Sequence, residues 1–80
     1  MTWLDQMTTS LSERTGVEGE ALTLTPETQR AILDVARVAS HTSGDRIFAP
    51  LLCYVLGVLT SRGISLDEAI SIVKEQAGSE

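Results

Sequence analysis

Apolar residues recur at helical spacing in four stretches of this chain, separated by short segments rich in Gly, Ser, Thr and Pro. Trp3, Leu4, Met7 and Leu11 share one stripe while Asp5, Gln6, Thr9 and Glu13 lie elsewhere, which predicts a first helix over 2–14. Thr2 and Asp5 have capping-box spacing, and Gly16 is a natural stop. Ile32, Val35, Ala36 and Ala39, widened by Leu33, predict a second helix over 26–40. Thr25 is its cap, Pro26 suits the first helical position, and Glu27 complements the helix dipole. Arg30 and Asp34 are expected to pair one turn apart.

The run FAPLLCYVLGVL is apolar almost all round and predicts a third helix over 49–62, central and buried. Gly57 inside it costs about 1 kcal/mol relative to Ala, which points to close approach by another helix or a partner backbone. Ile70, Val73 and Ala77 predict a fourth helix over 66–77. Ser65-Leu66-Asp67-Glu68 reads as a full capping box, with Ile64 and Ala69 as a hydrophobic staple across it. Val17 to Thr25 reads as a loop pinned by Leu22 and Leu24, and Gly78-Ser79-Glu80 as a frayed tail. The expectation is one all-α domain over 1–80, a compact four-helix bundle or an orthogonal four-helix domain around an apolar third helix.

Composition narrows what such a domain can do. Eighty residues leave room for one core, and a chain this short buries only about 60% of its unfolded surface, so its stability should be marginal. Cys53 is the only cysteine and His41 the only histidine, so neither a disulfide nor a zinc site is expected, and no cofactor is implied. Eleven acids against six bases give a net charge of -5, which argues against nucleic acid and anionic membranes as partners. The twelve-residue apolar run is too short for a bilayer, which needs roughly 20 residues. The opening MTWLDQMTTS lacks the basic and apolar regions of a secretory leader, so a cytoplasmic location is expected.

The most polar cluster, His41-Thr42-Ser43-Gly44-Asp45-Arg46, is expected to form the break ahead of the third helix. Helix amino termini attract anions, so His41, Arg46 and the Ser43-Gly44 backbone are candidates to hold a phosphate or carboxylate. The alternative is that His41 simply ends the second helix, where an imidazolium suits the dipole, with Asp45 and Arg46 as solvated charges. Catalysis is not expected: Ser43 and Asp45 lie two and four residues from His41, but one loop on so small a domain offers little enclosure. Cys53, between Leu52 and Tyr54, reads as a small core filler rather than a reactive thiol. Trp3 either caps the bundle or presents an edge to a partner, and Tyr54 can place its hydroxyl at such an edge. Acyl carrier proteins share the size and acidity, but their modified serine follows an aspartate, and this chain has no Asp-Ser pair. A DNA-reading helix-turn-helix is disfavoured because the third helix is apolar rather than basic.

Leu33-Asp34-Val35-Ala36-Arg37, Ala39, His41, Arg46, Ala49-Pro50-Leu51 and Gly57, with the N-terminal Trp3-Leu4 pair, resemble a small actinobacterial family of unknown function. Its members carry a histidine-containing break, an Arg-x-x-Ala-Pro-Leu-like step and a glycine-containing apolar helix. The stretch Arg46-Ile47-Phe48-Ala49-Pro50 departs from that pattern, since relatives place another proline or small residues directly after the arginine. Domains of that family occur beside or fused to molybdenum cofactor guanylyltransferases, and near formate dehydrogenase and its sulfurtransferase-type accessory protein. The resemblance therefore implies a non-catalytic accessory or small-subunit protein in the maturation of a molybdopterin-dependent oxidoreductase, with formate dehydrogenase foremost. His41, Arg46 and Pro50 match the family pattern, and Trp3, Pro50 and Tyr54 are the candidate partner contacts. The alternatives are a binder of a phosphate-bearing nucleotide or cofactor, held at His41 and Arg46, and a self-associating homodimeric module.

Overall fold

In a computed structural model that describes residues 2–78, four α-helices and one 3-10 turn follow in order: α1 (Trp3–Thr15), the turn (Gly19–Leu22), α2 (Pro26–Ser43), α3 (Phe48–Ser61) and α4 (Leu66–Ala77). The expected all-α architecture is present, with no strand among the described residues. Ser79 and Glu80, part of the tail expected to fray, lie outside the described residues.

Local signals set most helix starts. Thr2 and Asp5 form the reciprocal capping box: the Asp5 amide donates to Thr2 Oγ1 at 3.1 Å and the Thr2 amide donates to Asp5 Oδ2 at 3.0 Å. The bond from the Thr2 amide foremost, and then the Thr2 hydroxyl beside the carboxylate, hold the Asp5 carboxyl below its ordinary pKa. Thr25 caps α2 by accepting from the Thr28 amide, with Pro26 at the first helical position. Ser65 accepts from the Glu68 amide at 3.1 Å, so the first half of the expected box forms at α4. The reciprocal bond from the Ser65 amide to the Glu68 carboxylate is not made.

The end of α2 corrects the sequence-based boundary. His41, Thr42 and Ser43 continue the helix for almost another turn, with the Thr42 hydroxyl donating to the Val38 carbonyl at 2.8 Å. Chain reversal waits for Gly44, whose φ of +80° is a conformation glycine reaches without a Cβ clash. The Val17 to Thr25 segment is not wholly irregular either, because it contains the 3-10 turn; the Ser12 hydroxyl donates to the Val17 carbonyl at 2.6 Å and ties the segment to α1.

Helices α2, α3 and α4 pack on one another around Val35, Leu56, Ala69 and Ile70, with Ala31, Cys53, Ile64, Leu66 and Val73 partly buried against them. Val35 (0% exposed) and Leu56 (2%) lie at the centre. Val38 is buried as well, whereas Leu33, expected to widen the inward face of α2, points outward. The third helix is not the buried centre expected from its composition. Only Leu56 along it is buried, because α2 and α4 flank one side and no element covers the other.

The uncovered side is left open by α1. Its backbone runs close to the 3-10 turn but not to α2, α3 or α4, and only Leu4 borders a shallow cleft with Leu24, Gln29, Ile32 and Leu33. The result is an elongated molecule of 39 × 26 × 20 Å. Its radius of gyration is 13.6 Å, against about 12 Å for a compact domain of this length.

Candidate functional site

The turn from α2 into α3 brings the polar candidates into sequence proximity but fills the anion position from within. The Ser43 hydroxyl donates to the Asp45 carbonyl at 3.0 Å and accepts from the Asp45 amide at 3.2 Å. That places Asp45 so that its Oδ1 accepts from the Ile47 amide at 3.1 Å. The Phe48 amide donates to the Asp45 carbonyl and the Ala49 amide to the Arg46 carbonyl. Pro50 has no amide to give. The Ile47, Phe48 and Ala49 amides at the amino end of α3 are thus engaged, and the chain supplies its own carboxylate there. At the Ser43-Gly44 backbone, the anion cradle expected from sequence, the Gly44 amide donates to the Ser40 carbonyl at 3.0 Å. His41 lies exposed in the last turn of α2, where a cation complements the dipole. Arg46 is exposed beyond it, and no hydrogen bond or ion pair joins the two.

The prominent surface features are instead two apolar faces left uncovered among the described residues. On α1, Trp3 (70% exposed), Leu4, Met7 and Leu11 form the stripe expected from sequence, now facing solvent. On α3, Ile47 at its cap, Phe48, Leu51 (57%), Tyr54 (76%), Val55, Val58 and Leu59 are exposed together, and Pro50 is exposed beside them. The helix from Phe48 to Ser61 carries no charged residue. A groove of about 360 Å³ runs between the end of α2 and the start of α3, floored by Ala39 and Leu52 and walled by Phe48, Leu51 and Val55. Sequence periodicity identified the α1 stripe, but the α3 face was read as core because an all-apolar helix carries no internal sign of which side stays uncovered.

A second cavity, about 240 Å³, lies between α2, α3 and the start of α4, lined by Leu24, Ile32, Cys53, Leu56, Gly57 and Leu66. Cys53 is half-buried there and packs against the core, consistent with a filler. The close approach expected at Gly57 is not made within the chain, for a Cβ built on it would meet nothing within 4 Å.

One charge network spans the core helices. Asp34 accepts from Lys74 Nζ at 2.7 Å and from Arg37 at 2.9 Å, joining α2 to α4, in place of the expected pairing with Arg30. The Lys74 hydrogen bond, then that of Arg37, holds the Asp34 carboxyl below its ordinary pKa. A depressed carboxylate pKa adds stability above the unfolded-state value, and that contribution disappears as pH falls through the folded-state value. Asp34→Asn should therefore lower the melting temperature at neutral pH and have progressively less effect as pH falls below the ordinary carboxylate range. Melting curves of the two proteins across that range check it; the difference at neutral pH should also shrink with added salt, because the pair is solvent-accessible.

No match to a protein-family model, a curated protein or a solved structure was found. Among the described residues no helix is long and apolar enough to cross a membrane, and no group of three His, Cys, Asp or Glu is placed to hold a metal ion.

Proposed function

We propose that the chain is a non-catalytic accessory protein that docks on a larger protein by presenting α1 as a recognition helix. The observation carrying this reading is the exposed stripe Trp3, Leu4, Met7 and Leu11 on a helix capped at both ends yet lying apart from the core. An amphipathic helix with anchors at such spacing suits insertion into an apolar groove, and a tryptophan is among the residues most often carrying binding energy. The resemblance described above supplies the partner class: a molybdopterin-dependent oxidoreductase, formate dehydrogenase foremost, or one of its maturation factors. The small-ligand alternative loses support, because Asp45 occupies the helix terminus on which it relied.

Capture from cells expressing the dehydrogenase, with the full chain as bait, tests the reading. The wild-type chain should retain the enzyme or a maturation factor, and Trp3→Ala should weaken retention at least about tenfold, as for an interface anchor. Loss of the gene should lower formate oxidation. Fully loaded, fully active dehydrogenase in its absence refutes the assignment.

A further inference from the structure

We infer that a second copy of this chain covers the outer face of α3, with the two helices antiparallel across a two-fold axis. The surface accounting motivates a partner. The chain exposes 6169 Å², roughly 1,500 Å² more than a folded monomer of 8.6 kDa is expected to show. A standard interface takes about 800 Å² from each side, so one contact absorbs about half of the excess, and the α1 stripe holds the remainder for a different partner.

The chemistry of the face selects a second copy. A two-fold interface must be complementary to itself. An uncharged apolar stripe meets that condition, whereas the acidic remainder of the surface, at a net charge of -5, repels its own kind. The ends of the stripe have the required polarity. Asp45 stands at the amino end, with one carboxylate oxygen bonded to the Ile47 amide. Arg62 stands at the carboxyl end, in helical register with Leu51 and Val55. Antiparallel pairing sets each Asp45 near the Arg62 of the second copy, and a parallel pairing would oppose Arg62 to Arg62. In the antiparallel register Leu51 meets Val55 and Phe48 meets Val58 across the axis. The groove beside Phe48 and Leu51 then takes an apolar side chain from the other copy.

Sedimentation of the full chain decides the matter. The wild-type protein should sediment as a dimer at about 100 µM, and Leu51→Glu should weaken association by roughly a hundredfold or more, since two carboxylates would then lie in an apolar contact. Leu51 and Tyr54 are exposed, so Leu51→Glu and Tyr54→Glu chains should both keep their helical circular dichroism while becoming monomeric. Leu33→Glu, an exposed leucine on α2, should leave the dimer intact. A monomeric wild-type chain, or a dimer unaffected by both α3 substitutions, overturns the inference. The arrangement has its own test in a Cys53→Ser background. Mixed Leu51→Cys and Val55→Cys chains should cross-link to each other under mild oxidation, and cross-links confined to like chains overturn the antiparallel pairing. Trp3→Ala should leave the dimer unchanged, so failure here and failure of the docking reading are separable.

Discussion

Leu56→Ala should lower the unfolding free energy by about 2–5 kcal/mol, the range for removing a buried leucine and leaving a cavity. Leu56 is the one side chain of α3 that the fold fully encloses, and it meets Val35 from α2 and Ala69 and Ile70 from α4. It also borders the existing cavity of about 240 Å³, so truncation enlarges a void that neighbours have not collapsed to fill. In a domain whose total stability is of order 5 kcal/mol, the substitution should leave a large fraction of chains unfolded at 37 °C. Leu51→Ala, five residues earlier on the open side, should change monomer stability by less than about 0.5 kcal/mol. Urea denaturation of the two variants, at concentrations low enough to hold both as monomers, measures the contrast directly. Equal destabilisation would mean that the open and enclosed sides of α3 are not distinct.

Gly57→Ala should move stability the other way, by about 1 kcal/mol in favour of the folded state. Glycine lacks the backbone restriction that helps alanine hold a helix, and nothing lies within 4 Å of the added methyl group. For a chain of this length that gain corresponds to roughly 4–8 °C in melting temperature. A thermal melt of the variant checks it. A decrease instead would place a neighbouring backbone against α3 at this point.

These two adjacent positions show what could be read from sequence and what could not. Thr2, Thr25, Pro26 and Ser65 act on amides within a turn of themselves, so their roles were legible in the residues alone. Leu56 and Leu51 are chemically identical residues five positions apart on one helix. Which of them is enclosed depends on the side from which α2 and α4 pack, and neither residue carries a local sign of that side. The Asp34 partner was missed for a related reason. Arg30 lies one turn away in sequence, but Lys74 arrives from α4 only after the helices have packed. At the candidate site the residue types were visible, yet Asp45 was read as a solvated charge. Its hold on the Ile47 amide depends on how the Ser43–Asp45 hydroxyl turn orients it. Helix continuation through His41 to Ser43 was obscured because polar, weakly helix-favouring residues look like a loop until Gly44 supplies the actual reversal.

The separation of α1 from the other helices has a consequence for how this protein can change over time. The α1 backbone makes no contact with α2, α3 or α4, so substitutions at Trp3, Met7 and Leu11 should combine almost additively with those at Val35, Leu56 or Ala69. Most small domains must alter a recognition surface that is also part of their own core, and many new specificities are lost because the variants do not fold. Here the docking helix can drift in sequence while the three-helix remainder stays above its folding threshold. Lineages could retune the chain to a diverging partner by changing a single helix.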